Sequence, residues 1–364
     1  MGPRIGFMGA GAIGSYIGAF LTREGHDVTL IDPWPEHVEA MKANGLHVSG
    51  SQGNFKAPVK AMHLCEVVNL VDPFDIAFIA MKSYDTEWAA HFMKRHLRQP
   101  GGFMVCSQNG MNDETIARIV GYERVVGLIM SSISVGLMEP GHVTRGGAVG
   151  RDHGHDVFRA GELSGVTSPR VQELAEMLSC IDGSYATTNL WGERWSKLAT
   201  NCMGNALTAL SGTPAGVLAD VTPRFAVLRD DVAHEVVQVG TTLGVSIEPI
   251  NGKTAAEWLE YRADMDVPGA SPESRSQSGP AATYPTTWPT STLQDVIKGR
   301  RSEIDYLNGY VGRRGREVGV DTPVCDAIVR VMRQIDDHEI PPDPDNIDRV
   351  WDMAYGSVAS QASV

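Results

Sequence analysis

Long apolar runs are missing from this sequence. No stretch supplies the roughly 18 uncharged apolar residues in succession that a membrane-spanning helix needs. The opening MGPRIGFMGAG has no basic segment and apolar core ahead of a cleavage site, so neither membrane insertion nor export is expected. Cysteine is sparse. The five residues Cys65, Cys106, Cys180, Cys202 and Cys325 are odd in number, far apart and without a C-x-x-C pair, which argues against a disulfide framework and fits reduced thiols in a cytoplasmic protein. Positive charge is also short: 31 Lys and Arg against 44 Asp and Glu leave a formal net charge of -13, which disfavours nucleic acid or a membrane surface as principal partner.

What is present is enough apolar material, 42% of 364 residues, for two domains with substantial cores. Over residues 1–187, short β-rich runs (RIGFMGA, HDVTLID, DIAFIAMK, GFMVCSQ and RVVGLIM) alternate with helical patterns such as PEHVEAMKANG. That alternation predicts an α/β domain built on a Rossmann-type, doubly wound and mostly parallel sheet. SVGLMEPGHVTRGG and VFRAGELSG, within residues 133–163, read as antiparallel strands on the sheet edge, and Ser168-Pro169 as the N-cap and first residue of a helix.

From Leu190 the pattern turns to long helices, over 191–211, 223–243, 254–265, 291–318 and 323–337. An all-helical C-terminal domain is expected over 188–345, with a frayed tail over 346–364. The stretch VPGASPESRSQSGPAATYPTTWPTS, residues 267–291, interrupts the helices with five prolines; it is either a disordered loop or a lid that packs through Tyr284 and Trp288.

G-A-G-A-I-G, from Gly9 through Gly11, Ala12 and Ile13 to Gly14, follows the first predicted strand and opens the first predicted helix. In that setting the glycines permit a tight turn and bring backbone amides against a pyrophosphate at a helix N-terminus. Asp32 ends the second predicted strand, where an acid can accept from an adenosine ribose 2′-hydroxyl and repel a 2′-phosphate; alternatively it caps the following turn. No Arg or Lys falls within residues 32–38, so NAD is favoured over NADP.

WSKLATNCMGNALTAL, residues 195–210, places Lys197, Asn201 and Asn205 four residues apart, on one face that drifts by about 40° per step. Asn costs a helix roughly 0.5 kcal/mol relative to Ala, and a solvated face ordinarily favours Glu, Lys or Arg. Such a stripe reads as the polar floor of a cleft between two domains. R-D-H-G-H-D, residues 151–156, offers only two histidines on a turn and reads as a polar loop, so no metal is expected. Trp191 and Trp195 read as packing residues, and Gly299, Gly309 and Gly312 as points of close approach in a long helix.

The glycine turn, the helix 195–210 and STLQDVIKGRRSEIDYLNGYVGRRG, residues 291–315, together resemble the ketopantoate reductase family, from the first strand to about residue 330. The resemblance implies a dinucleotide-binding domain, a helical domain, and a small-molecule substrate, a 2-oxo acid, reduced between them with a nicotinamide cofactor. It makes Lys197 the general acid and Glu303 a partner of the substrate hydroxyl. It sets Asn201, Asn205 and Ser291 against the substrate's polar groups, and Lys82 and Asn109 at the nicotinamide-ribose side. A lysine suits the acid's task once burial lowers its pKa toward working pH. Glu303 lies four residues before Leu307 and seven after Val296, on or beside the apolar stripe of its predicted helix. The helical domain is expected to serve dimerisation, giving a homodimer.

Ala215 stands where the family often carries Asn, the 267–291 loop is long, and Asp32 is unusual in a family that commonly uses NADPH. A second reading is therefore an NAD-dependent dehydrogenase of a bulkier secondary alcohol. A third is a catalytically silent nicotinamide-binding redox sensor, against which the retained Lys197 and Glu303 argue.

Overall fold

The strands form where apolar residues run continuously, because a parallel strand in the middle of a sheet is covered on both faces. The computed structural model describes residues 2–260 and 288–356. Its packing divides after Leu190 into two units, Met1–Leu190 and Trp191–Val364.

In the first unit the strands are β1 (Arg4–Met8), β2 (Asp27–Asp32), β3 (Leu46–Gly50), β4 (Phe55–Ala57), β5 (Lys60–His63), β6 (Ile76–Ile79), β7 (Phe103–Cys106), β8 (Val125–Met130), β9 (Val135–Glu139), β10 (His142–Arg145), β11 (Phe158–Glu162) and β12 (Ser184–Ala186). Eight of them make one sheet in the order β12-β11-β8-β7-β6-β1-β2-β5. The β8–β11 pairing is antiparallel, while β1, β2, β5, β6, β7 and β8 pair in parallel. Successive residues feed opposite cores. Phe7, Leu30, Phe78 and Val105 join one cluster; Met8, Ile31, Ile79 and Cys106 join the other. Helices α1 (Ala12–Arg23), α2 (Pro35–Asn44), α3 (Thr86–Lys94), α4 (Asp113–Val120) and α5 (Pro169–Leu178) complete the unit. The hydroxyl of Ser168 accepts from Val171 N at 3.4 Å and Pro169 opens α5, as the Ser-Pro pair predicts.

One expectation for this unit needs correcting. Of the strands predicted over 133–163, only β11 lies on the main sheet; β9 and β10 join a separate four-stranded sheet, in the order β4-β3-β10-β9. The cause is β3, which pairs in parallel with β10 from His47↔His142 onward and draws the hairpin away from the edge. A buried ion pair, Arg145 to Asp182 at 2.5 Å, and a 2.9 Å bond from Arg145 to Gln52 anchor this small sheet.

The second unit is helical among its described residues: α6 (Leu190–Ser211), α7 (Ala215–Val221), α8 (Arg224–Thr242), and the helices Ala255–Glu260, Ser291–Ile297, Asn308–Val318, Pro323–Asp336 and Asn346–Tyr355. Trp195 is buried here, with its ring centroid 6.1 Å from that of Tyr310. Residues 261–287, which hold Tyr284, most of the 267–291 loop and the end of the helix expected over 254–265, lie outside the described residues, as do 357–364.

Two expectations are corrected. The segment 346–364 is not all tail, since Asn346–Tyr355 is a helix that buries Ile347 and Val350. The helix expected over 291–318 is broken: Gly299 adopts φ +62°, and the chain resumes through a short 3-10 turn at Ile304–Tyr306 before the helix Asn308–Val318. Asp336 holds the break open, accepting from Ser302 N at 3.0 Å and Ser302 Oγ at 2.6 Å. Gly312, inside the later helix, does mark a close approach, because an added Cβ would lie 2.5 Å from Asp326 Oδ1.

Candidate functional site

The carboxyl ends of parallel strands are where an open α/β sheet binds ligands, and four candidate elements of the first unit lie there. The glycine turn follows β1. Gly9 adopts φ +102°, and a Cβ on it would fall 2.8 Å from the Ala80 backbone; one on Gly14 would fall 2.0 Å from Gly9 O. Gly11 differs, because a Cβ there would meet nothing within 4 Å. Gly11 is also the N-cap of α1, with no side-chain cap bond, so the amides of Ala12 and Ile13 open the helix uncapped. Open space over an uncapped helix N-terminus with no acid in its first turn fits a pyrophosphate.

Asp32, at the end of β2, takes the capping role weighed for it. Its Oδ2 accepts from Ala10 N at 2.8 Å and its Oδ1 from Trp34 N at 2.9 Å. An ionised carboxylate has about four acceptor positions, so capacity for a hydroxyl remains.

Lys82 follows β6 and Asn109 follows β7, both half-buried. Their loops are laced together by residues that the sequence reading did not single out. Gln108 Nε2 donates to Met81 O at 2.8 Å, and Asn112 Nδ2 donates to Ser83 Oγ at 3.0 Å and to Asn109 O at 2.7 Å. The polar run SQNGMN directly after an apolar strand was the available signal. His37 and Ser15 were also missed. Both are fully buried against the glycine turn, and burial holds the His37 pKa below the usual histidine value while Asp32 opposes the shift.

In the second unit, α6 sorts its residues as the stripe predicts. Leu198, Ala199, Cys202, Met203, Ala206 and Leu207 are buried core; Lys197 and Asn205 are half-buried, and Asn201 is 3% exposed. Asn205 Nδ2 donates to Asn201 Oδ1 at 3.3 Å and to Ser291 Oγ at 3.2 Å, so three predicted substrate contacts form one row. Within that row Asn201 Nδ2 is buried without a hydrogen-bond partner among the described residues. A buried orphan donor costs about 1–3 kcal/mol, which an incoming acceptor relieves. Glu303 is buried, on the irregular segment before the 3-10 turn rather than on the helical stripe expected for it.

Comparison with known proteins is consistent along the chain. A family profile described as "Ketopantoate reductase PanE/ApbA" matches residues 5–154, and one described as "Ketopantoate reductase PanE/ApbA C terminal" matches residues 189–336. A 2-dehydropantoate 2-reductase from Archaeoglobus fulgidus is 29% identical over 341 residues, covering 92% of this chain and 98% of that protein. The crystal structure of a PanE/ApbA family ketopantoate reductase from Ralstonia eutropha JMP134 superposes with a TM-score of 0.73 at 27% identity, over 92% of this chain and 99% of that one. A D-mandelate dehydrogenase solved with NADH and anilino(oxo)acetate shares the fold, with a TM-score of 0.74 at 23% identity over 92% and 99%.

Proposed function

The chain belongs to the ketopantoate reductase family, whose members are nicotinamide-dependent oxidoreductases acting on a CH–OH group, and we propose a role for each candidate residue within that chemistry. The nicotinamide, when bound, supplies or takes the hydride. The chain's residues do the rest. The amides of Gly11, Ala12 and Ile13 hold the pyrophosphate, and Lys82 and Asn109 serve the nicotinamide-ribose end. Lys197 gives its Nζ proton to the carbonyl oxygen as that oxygen gains charge, and in the reverse direction takes the hydroxyl proton back. Asn201, Asn205 and Ser291 orient the substrate's polar groups, and Glu303 accepts from its hydroxyl.

One observation carries this reading: a half-buried ammonium shares a helix face with a buried amide whose donor is unmet among the described residues. That combination suits a 2-oxo acid, which brings acceptors to both. The fixed charge of Asp32 and the lack of Lys or Arg in residues 32–38 support NAD over NADP. A homodimer in the cytoplasm completes the proposal.

The test is absorbance at the reduced-nicotinamide band, with both cofactors, against ketopantoate, other 2-oxo acids, aryl and alkyl 2-hydroxy acids and secondary alcohols. Lys197→Ala should lower kcat by about 10²–10⁴-fold with dinucleotide affinity kept, the range for a lost general acid. Turnover unaffected by Lys197→Ala would remove its role, and bulky alcohols turned over in preference to ketopantoate would establish the dehydrogenase reading.

A further inference from the structure

A glycine turn is pliable, and the peptides on either side of Ala10 are nevertheless both held. Ala10 N donates to Asp32 Oδ2 at 2.8 Å. On the other side, the Ala10 carbonyl meets two buried side chains: Ser15 Oγ donates to it at 2.6 Å, and His37 Nε2 lies 2.9 Å away. Gly141, in the turn between β9 and β10, donates its amide to His37 Nδ1 at 2.8 Å. A backbone N–H can only donate, so Nδ1 carries no proton and Nε2 does. The ring is therefore neutral, an acceptor from the hairpin and a donor to the turn. Trp34 stacks on it with centroids 5.5 Å apart and planes 23° from parallel.

The consequence follows from peptide geometry. In a trans peptide the carbonyl and the next N–H point opposite ways, so fixing Ala10 O inward turns Gly11 N–H outward, away from the buried pair. Of the three glycines of the turn, Gly11 is the one where an added Cβ would meet nothing within 4 Å.

We infer that His37 is a positioning residue of the dinucleotide turn: seated on Gly141 through one nitrogen, it orients through the other the Ala10–Gly11 peptide whose N–H is offered to the pyrophosphate. The inference rests on the proposed function. Its physical content is preorganisation, since a turn ordered in advance loses less freedom when ligand arrives. A protonated ring would set a second donor against Gly141 N–H and lose its seat. Asp32, on β2, is the charged group facing the ring, while α1 presents the Ser15 hydroxyl and the hairpin the Gly141 amide.

Two substitutions separate the two bonds. His37→Asn keeps an acceptor near the Nδ1 position and loses the donor to Ala10; His37→Gln reaches the Nε2 position with an N–H and gives up the acceptor. Calorimetric titration with NAD⁺ and NADP⁺ reads the effect. His37→Asn should weaken the better-bound dinucleotide about tenfold, the scale of one lost hydrogen bond, with kcat at saturating cofactor within about twofold of wild type. His37→Gln should weaken it by less than about threefold. Unchanged affinity in a folded His37→Asn protein overturns the inference.

Should neither variant fold, the wild type decides. Nitrogen-15 NMR of the His37 ring at neutral pH should show a neutral imidazole with Nδ1 bare and Nε2 protonated, and its shifts should move when NAD⁺ is added. A ring protonated on Nδ1, or shifts that saturating NAD⁺ leaves unmoved, overturns the inference. Wild-type protein that binds neither dinucleotide overturns the proposed function together with this inference, whereas binding insensitive to His37 overturns this inference alone.

Discussion

Asn205 donates to Asn201 one helical turn away, at 3.3 Å, and so occupies the acceptor of a side chain whose own buried donor is left unmet among the described residues. A native protein keeps such a group when something else satisfies it, here the substrate of the proposed function.

Asn201→Leu separates stability from function. It should leave the melting midpoint unchanged or raise it by a few degrees, because about 1 kcal/mol of orphan-donor cost disappears, while substrate KM rises at least about tenfold. A midpoint lowered by several degrees with KM unchanged would make Asn201 a packing residue.

The glycines of the turn should fail in different ways. Gly14→Ala sets a Cβ 2.0 Å from Gly9 O and should destabilise the fold by several kcal/mol, while Gly11→Ala enters open space and should keep the wild-type melting curve. The Gly11→Ala Cβ would stand where the proposed function puts the pyrophosphate, so dinucleotide affinity should fall at least about a hundredfold, as loss of two or more charge-assisted hydrogen bonds requires. Calorimetry beside thermal melting reads both; Gly11→Ala protein that binds cofactor normally would move the phosphate elsewhere.

Asp32→Asn sets an amide NH₂ against one of the backbone donors now held by the carboxylate, Ala10 N or Trp34 N. A stability loss of about 1–2 kcal/mol is expected, together with an NADH-to-NADPH ratio of kcat/KM lowered at least about tenfold. A ratio that does not move shows that the charge of Asp32 braces the turn without reading the ribose.

Burial pushes the Glu235 carboxyl from 4.5 up to about 7, against the Val324 and Cys325 amides that it accepts from at 2.8 and 2.9 Å. The folded state thus binds this proton more tightly than the unfolded chain. Its stabilising contribution, about 3 kcal/mol, is complete below about pH 4.5 and lost as pH rises through about 7. Urea unfolding of wild type and Glu235→Gln across that interval should give a difference that shrinks toward neutral pH. A difference that grows with pH, or none, would contradict the assignment.

Local pattern made much of this legible. The glycine turn, β1, β2, β6, β7 and β8, and the two-faced character of α6 follow from periodicity within a few residues, and the structure places them where the sequence does. Ser291 is another matter: it meets Asn205 across 86 positions, and only the family resemblance linked them. His37 carried no signal, since its partners Ala10 and Gly141 lie 27 and 104 residues away and a helical histidine looks ordinary in isolation. Short strands such as β4, three residues of mixed polarity, exist because a neighbour offers an edge to pair with. The break at Gly299 was hidden for a similar reason, as the residue that braces Ser302 is 34 positions downstream.

That break has an evolutionary consequence. On an unbroken helix, each residue inserted between Ser291 and Glu303 would swing everything downstream by about 100° and unseat the helix Asn308–Val318 from its neighbours. With Gly299 ending one helix and Asp336 tethering Ser302 at the restart, the stretch 299–301 can change length while its flanking helices stay in phase. Insertions or deletions there would reshape the surface around the bend while Glu303, next to the tether, keeps its place, a route to variation that leaves the supporting scaffold unaltered.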